Sequence, residues 1–204
     1  MTQLSPVPIV LIGGGGHALV VADAAVAAGR VVRGCYDDAP QPTVCAKLSI
    51  TRLGSLADLA AGDRWVLALG SIEARRKFIA ARGDKAETIV HPLSTISATA
   101  RLGAGVFVGP RAVVHTCASV GDHCIVNTGA IVEHECELGA NVHLAPGAIL
   151  AGNVTVGEDT LIGLGARVLP GVKVGRRCIV GAGAVVLADV PDGATVIGVP
   201  ARKR

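Results

Sequence analysis

The 204-residue chain contains only four aromatic residues and has no marked excess of charge of either sign. Its formal net charge is +3, and its basic residues do not cluster except in the C-terminal run Arg202, Lys203 and Arg204. Proteins bind single-stranded nucleic acids by stacking bases on aromatic rings, and they bind duplexes through extended basic surfaces. Because both features are scarce, we expect no nucleic-acid partner.

The six cysteines contain no CxxC pair, the spacing typical of metal and redox sites. Cys124, Cys136 and Cys178 fall on the small-residue position of a repeat described below, so we interpret them as small apolar side chains in a reducing compartment. The spacing therefore predicts neither a disulfide framework nor a metal site. A zinc site formed by His115, His134 and Glu133 is an alternative that nothing in the spacing requires.

Long apolar runs are also missing, since none approaches the roughly 18 residues of a membrane span. The N-terminus lacks the charged segment and the cleavage site of a secretory signal. We therefore expect a cytoplasmic protein with no membrane partner. Half of the residues are nevertheless hydrophobic, which is enough for an extended core.

An uninterrupted six-residue repeat occupies the second part of the chain. An aliphatic residue stands at every sixth position from 96 to 186, and a small or β-branched residue follows four positions later. This period is typical of a parallel β-helix, in which three hexapeptides form one coil. Positions 18 residues apart then stack on adjacent coils, about 4.8 Å from each other. The aliphatic positions are Ile96, Leu102, Val108, Val114, Val120, Val126, Val132, Leu138, Leu144, Leu150, Val156, Ile162, Val168, Val174, Val180 and Val186.

The first 91 residues show a different pattern, in which short apolar strands alternate with helical segments. We predict strands over 8–12, 31–36 and 65–69, and helices over 17–28, 56–61 and 71–82. This alternation predicts a small parallel βαβαβ sheet, an α/β domain of Rossmann-like type. A fourth strand-like run over 88–90 leads into the repeat, so we place the domains at 1–91 and 92–204. No Gly/Ser linker separates them, and we expect them to dock rigidly.

Small parallel sheets bind ligands at the carboxyl ends of their strands. The first of these loops fits the dinucleotide pattern G-x-G-x-x-A, but the domain is too short for a second mononucleotide-binding half. A nucleoside diphosphate sugar therefore fits better than NAD, and a glycine turn that binds nothing is the alternative. His17 either faces a phosphate or caps the following helix. The predicted substrate-binding residues of these loops are Gly13, Gly14, Gly15, His17, Asp37, Asp38, Gly70 and Ser71.

A polar cluster interrupts the apolar repeat around Asn127, His134 and His143. His134 occupies an outward-facing position, and the adjacent Glu135 can orient its ring and raise its basicity, which suits a general base. Gly152 lies 18 residues beyond His134, so its N–H group can stabilise an oxyanion that forms near the imidazole.

Five segments carry a resemblance to a known family. They are IGGGGHALVV, CYDD, NTGAIVEHECELG, HLAPGAILAGNVTVG and VIGVPARKR. Together they resemble the left-handed β-helix acetyltransferases of nucleotide-linked amino sugars, namely the bacillosamine- and perosamine-pathway N-acetyltransferases, with the sialic acid O-acetyltransferases as relatives. The resemblance implies a left-handed parallel β-helix and a homotrimer. It also implies that acetyl-CoA binds between neighbouring β-helices and that the N-terminal domain holds the sugar nucleotide.

The resemblance also assigns roles to individual residues. The family's base falls on His134, its supporting acid on Glu135, and the glycine that faces the thioester oxygen on Gly152. Asn127 matches the asparagine that contacts the sugar. The residues that line the family's coenzyme A groove correspond to His143, Leu164 and Ala182. Those of its nucleotide-binding loops correspond to Gly13 to Gly15, Asp37, Asp38 and Gly70. At one place the chain departs from the family, because Gly70 is followed by Ser71 where many relatives have an asparagine or an aspartate.

These observations predict direct acetyl transfer from acetyl-CoA to the amino group of a nucleotide-linked sugar, with no metal cofactor. Two alternatives remain. One is an O-acetyltransferase that acts on a sugar hydroxyl. The other is a non-catalytic scaffold that binds sugar nucleotides.

Overall fold

The computed structural model describes residues 7–82 and 86–204. Its N-terminal domain is a four-stranded, fully parallel sheet with the strand order β3-β2-β1-β4. Within the described ranges, no helix is long and apolar enough to span a membrane. The elements are β1 (Ile9–Ile12), α1 (Gly16–Ala27), β2 (Val32–Tyr36), α2 (Thr43–Leu48), β3 (Arg52–Gly54), a 3-10 helix (Leu56–Asp58), β4 (Trp65–Leu67) and α3 (Ile72–Arg82).

The sheet confirms the predicted α/β class, but two of its elements were not predicted. Both α2 and the edge strand β3 are short, and α2 lies between Pro42, which has extended backbone, and Ser49, which has a left-handed φ of 54°. Elements of three to six residues are too short to show a hydrophobic period. The predicted helix over 56–61 was wrong in extent, because only Leu56–Asp58 forms a 3-10 turn.

The repeat forms a parallel β-helix with three faces, which are built from two-residue strands except for the three-residue β22. The docking face contains β5 (Ile89–Val90), β8 (Phe107–Val108), β11 (Ile125–Val126), β14 (His143–Leu144), β17 (Leu161–Ile162), β20 (Ile179–Val180), β22 (Thr195–Ile197) and the antiparallel β23 (Arg202–Lys203). The aliphatic face contains β6 (Thr95–Ile96), β9 (Val113–Val114), β12 (Ile131–Val132), β15 (Ile149–Leu150), β18 (Arg167–Val168) and β21 (Val185–Val186). The polar face contains β7 (Arg101–Leu102), β10 (Ser119–Val120), β13 (Glu137–Leu138), β16 (Thr155–Val156) and β19 (Lys173–Val174).

The register follows the predicted 18-residue rule, since Val132 pairs with Leu150 and Val126 with Leu144. The predicted aliphatic residues from Val108 to Val186 are buried inside the prism, together with the small residues of the repeat. Cys124, Cys136 and Cys178 are free and lie in this core, which confirms their interpretation as small apolar side chains.

A left-handed backbone at every sixth residue turns the chain at each corner. All of these residues from 105 to 183 have φ between 54° and 71°. Glycine, asparagine or aspartate occupies many of these positions, but Glu135, with a φ of 59°, does not belong to this group. A side chain in this conformation costs roughly 1–2 kcal/mol, so the repeat imposes strain on Glu135 and fixes the direction of its Cα–Cβ bond.

The two parts of the chain share one apolar cluster. Ile89, Phe107 and Ile125 point outward from the docking face and pack with Leu11 of β1 and Ala18 of α1. We call each strand of the docking face a rung. Because Ile89–Val90 pairs with Phe107–Val108, the run predicted as a fourth strand is the first rung of this face. The N-terminal domain therefore covers the first three rungs of this face.

Candidate active site

A groove of about 590 Å³ opens on the docking face where the N-terminal domain ends. The start of α3 forms one wall, and the rungs that begin at His143, Leu161 and Ile179 form its floor. Five residues predicted from the sequence line it together, although they are far apart in the chain. They are Gly70, Ser71, Asn127, His143 and Leu164.

A chain of hydrogen-bonding groups crosses the groove floor. The side-chain oxygen of Asn127 accepts a hydrogen bond from the backbone N–H of Thr128 at 2.8 Å. Its amide nitrogen lies 3.4 Å from Nε2 of His143, and Gly70 of the N-terminal domain lines the same groove as that ring. The N-terminal domain and the β-helix therefore meet at His143.

Two histidines at this junction are neutral. The ring of His17 packs edge-on against Phe107, with a centroid distance of 5.4 Å, and lies 6.3 Å from the ring of His143. Burial and the nearby Arg75 guanidinium lower the pKa of His17 to about 4 and the pKa of His143 to about 3. Charged imidazolium is disfavoured at this site because burial removes its hydration.

Arg75 is the buried cation of this junction. It is 1% exposed, and one of its terminal nitrogens donates a hydrogen bond to the carbonyl of His123. Its Nε and its other terminal nitrogen have no hydrogen-bond partner among the described residues. The burial of Arg75 was not predicted from the sequence, because a single arginine in an amphipathic helix resembles a solvated surface residue.

A second group of predicted residues lies at the corner between the aliphatic and polar faces. Nδ1 of His134 lies 3.1 Å from a carboxylate oxygen of Glu135, and both side chains are more than half exposed. The imidazole packs directly over Gly152, where an added Cβ would overlap Cε1 and Nε2 of the ring. The predicted triplet of His134, Glu135 and Gly152 is therefore assembled within one chain.

The glycine loop of the N-terminal domain leaves the start of α1 open. Helix α1 begins at Gly16 without a side-chain cap, so the structure contradicts the alternative in which His17 caps it. An added Cβ at Gly15 or Gly16 would meet no atom within 4 Å. Uncapped N–H groups at the start of a helix favour anions.

The two predicted aspartates of the nucleotide loops have different structural roles. Asp37 accepts hydrogen bonds from the backbone N–H groups of Gly14 at 2.6 Å and Ala39 at 2.7 Å, so both of its oxygens already hold the loop. Asp38 is exposed and accepts one hydrogen bond, from the N–H of Leu56. The second oxygen of Asp38 thus has no protein donor among the described residues.

The predicted residues do not form one site within a single chain. Leu164 and Ala182 share the corner between the docking and aliphatic faces, where they stack 18 residues apart, whereas His134 belongs to the next corner. One face of six residues separates these corners, which is on the order of 15–20 Å. A small substrate cannot span that distance.

The structure shows no cluster of three or more His, Cys, Asp or Glu side chains that could hold a metal ion in residues 7–82 and 86–204. The alternative zinc site of His115, His134 and Glu133 therefore gains no support.

The chain matches three models of known protein families. Two family models of hexapeptide transferases match residues 100–134 and 153–188, and the model of the PglD N-terminal domain matches residues 8–81. No curated protein sequence matches the chain. The fold and these matches define a hexapeptide-repeat transferase.

Solved structures extend the similarity over the full chain. A histidine variant of perosamine N-acetyltransferase from Caulobacter crescentus, in complex with CoA and GDP-perosamine, is 39% identical, with a TM-score of 0.90 and coverage of 100% of this chain and 99% of that chain. The acetyltransferase domain of PglB from Neisseria gonorrhoeae, in complex with acetyl coenzyme A, is 38% identical, with a TM-score of 0.89 and coverage of 98% and 100%. WeeI from Acinetobacter baumannii, 23% identical with a TM-score of 0.80 and coverage of 97% and 99%, shares the fold. The chain belongs to the left-handed β-helix acetyltransferases that carry a PglD-type N-terminal domain.

The two neutral histidines predict that acid weakens the fold. Both titrate near pH 6.5 in the unfolded chain, and their folded pKa values are lower, so the unfolded state binds more protons as the pH falls from 6.5. Each histidine then reduces the free energy of unfolding by up to about 1.4 kcal/mol per pH unit. We expect urea midpoints measured from pH 6.5 to 5 to fall, and to fall less steeply in His143→Gln. His115→Gln, which changes an exposed histidine, is the control, and equal slopes in the two variants would contradict this account.

Proposed function

We propose that the protein transfers the acetyl group of acetyl-CoA to the amino group of a nucleotide-linked amino sugar of the 4-amino-4,6-dideoxy type. The observation that carries this proposal is the arrangement of His134 against Glu135 and over Gly152. The similar structures support it, since one contains CoA with GDP-perosamine and another contains acetyl coenzyme A. The reaction uses acetyl-CoA, so we place it in the cytoplasm, and its product would enter the assembly of a polysaccharide.

The contact with Glu135 determines which ring nitrogen of His134 acts as the base. A carboxylate next to Nδ1 accepts the N–H of that nitrogen, which leaves Nε2 with a free lone pair above Gly152. As the sugar nitrogen attacks the thioester carbonyl, Nε2 of His134 takes a proton from that nitrogen. The C–S bond then breaks, and the proton passes to the leaving thiolate of CoA.

The backbone of Gly152 is suited to stabilising the intermediate. Its N–H has no protein acceptor among the described residues, and it lies beside the imidazole. An N–H aimed at the developing oxyanion lowers the barrier, and removing such a donor elsewhere costs about 100- to 1000-fold in kcat. Glycine is required here because any side chain would displace the base.

We assign the nucleotide to the N-terminal domain. The open amides at Gly15 and Gly16 suit the diphosphate, while Asp37 maintains the loop and Asp38 retains a free carboxylate oxygen for the nucleoside. Gly70, Ser71 and Asn127 lie where the groove meets this domain and suit the sugar. His17 lies behind His143 and supports the groove from within.

A homotrimer completes the site in this proposal. The aliphatic face separates His134 from the groove. Four of its six outward residues, Val113, Ile131, Ile149 and Val185, are half-buried apolar side chains in the single chain, and the other two are the exposed Thr95 and Arg167. Apolar side chains in such a row favour contact with another copy. If these faces pack around a threefold axis, His134 of one subunit can approach the groove of the next. Leu164, Ala182 and His143 would then hold acetyl-CoA opposite that base.

Replacing the base tests the chemical assignment. His134→Ala should lower kcat by about 100- to 10,000-fold and leave the melting temperature nearly unchanged, because the ring is exposed. Gly152→Ala should show a similar loss, since its Cβ displaces the imidazole. Thr116→Ala, one coil before His134 at the same repeat position, is the matched control and should keep wild-type kcat. A His134→Ala enzyme with more than a tenth of wild-type kcat would rule out this base.

The acceptor is tested by thiol release from acetyl-CoA with a panel of UDP-, GDP- and dTDP-linked amino sugars, run beside sugars that carry only hydroxyl groups. We expect rapid release with one amino sugar. Release with hydroxyl acceptors alone would identify an O-acetyltransferase instead. Binding of both ligands without release would favour the scaffold alternative.

Mixed trimers test whether two subunits share a site. We expect His134→Ala and Leu164→Glu to be inactive separately, because one removes the base and the other places a charge in the coenzyme groove. When the two are co-expressed in equal amounts, about a quarter of the head-to-tail interfaces combine two intact halves, so about a quarter of wild-type activity should return. A mixture that stays inactive, or a monomer at micromolar concentration in light scattering, would contradict the shared site.

A further inference from the structure

We propose that His143 is a positioning residue, which fixes the side-chain amide of Asn127 with one N–H group left free for a ligand in the groove. Asn127 lines the groove but is only 8% exposed, so its amide is held by the protein rather than by solvent. The orientation of that amide determines whether the groove offers the ligand a hydrogen-bond donor or an acceptor.

The backbone fixes one end of the Asn127 amide. The N–H of Thr128 is a donor and lies 2.8 Å from the side-chain oxygen, which it can approach only as an acceptor. The NH₂ group of Asn127 must then face His143, where the separation from Nε2 is 3.4 Å. Exchanging the oxygen and nitrogen would place two donors against each other at Thr128.

This orientation determines the tautomer of His143. Because the NH₂ group of Asn127 can only donate, Nε2 of His143 must accept and carry no proton. The proton of the neutral ring therefore belongs to Nδ1. A protonated ring would bring an N–H against the amide NH₂ and break this series of hydrogen-bonding groups.

The surroundings of His143 oppose protonation. The ring of His17 on α1 lies 6.3 Å from the ring of His143, and the positive charge of Arg75 on α3 lowers the pKa of both rings. Two acidic side chains line the groove. Glu73 pairs with Lys77 at 2.8 Å, and Asp159 accepts a hydrogen bond from Asn141 at 2.7 Å and lies within 4 Å of Arg76 and Arg177. No salt bridge joins Arg75 to a carboxylate among the described residues. Burial and this unpaired cation keep the pKa of His143 near 3.

The buried guanidinium of Arg75 is a cost to the fold. Taking a charge out of water is unfavourable unless a partner compensates it, and apolar replacements of buried charges often stabilise proteins. In Asn127, one N–H of the amide has no partner among the described residues. The free N–H of Asn127 then selects an oxygen acceptor, and, under the function proposed above, that acceptor is a hydroxyl or ring oxygen of the sugar.

Nitrogen-15 NMR of the histidine rings tests the positioning without depending on activity. In the full-length protein at pH 7 we expect the His143 ring to be neutral with its proton on Nδ1, and we expect His143→Gln to remove and so assign this signal. Asn127→Asp replaces the donor with an acceptor. It should raise the pKa of His143 by about 1–3 and move a proton onto Nε2. A wild-type ring that is charged at pH 7, or protonated on Nε2, would overturn the proposal.

Arg75→Met tests the electrostatic part of this account. We expect this variant to keep or raise the melting temperature and to raise the pKa of His143, because it removes a positive charge that lowers that pKa. Lys77→Met, an exposed position on α3 with a 73% exposed side chain, should change none of these quantities. Unfolding of Arg75→Met, or an unchanged His143 ring, would refute the role of Arg75. The ring measurements remain decisive even if the acceptor panel shows no acetyl transfer.

Discussion

Stacking of residues 18 positions apart is the constraint on which the rest of this structure depends. Each two-residue strand pairs with the strand one coil before and one coil after, and the interior of the prism admits one aliphatic and one small residue per hexapeptide. A left-handed residue at every corner closes the triangle. With the backbone fixed in this way, polar side chains such as those of His134 and His143 stand at the outward positions of the corners and faces.

The junction between the two parts of the chain follows a different principle. Its apolar portion is an ordinary shared core, but beside the groove it contains a buried arginine and two histidines that burial keeps uncharged. Such a junction is sensitive to protonation and to the charge of what binds beside it. The same contacts that dock the N-terminal domain therefore also set the polarity of the groove floor.

Sequence patterns were sufficient to predict the repeat and the residues whose places the repeat determines. The period of six predicted the coils, and the 18-residue rule brought Gly152 to His134, because rigid stacking converts spacing into distance. The rule also places Leu161 and Ile179 in the column of His143, so the groove floor was within reach of the same argument. Arg75 and the edge elements α2 and β3 were not predictable, because their positions depend on tertiary packing rather than on a local period. The alternative role of His17 as a helix cap failed for the same reason, since its ring packs on Phe107 of the other domain.

The apolar core that the N-terminal domain shares with the docking face ends at the third strand, and the strands at His143, Leu161 and Ile179 continue beyond it. Neighbouring strands are about 4.8 Å apart, so these three strands provide a track about 14 Å long. This length is on the order of that of a short extended ligand arm. Adding or removing one 18-residue coil would change the length of this track by one strand spacing and leave its cross-section and chemistry intact. The number of coils therefore sets the length of this track independently of its width and its lining.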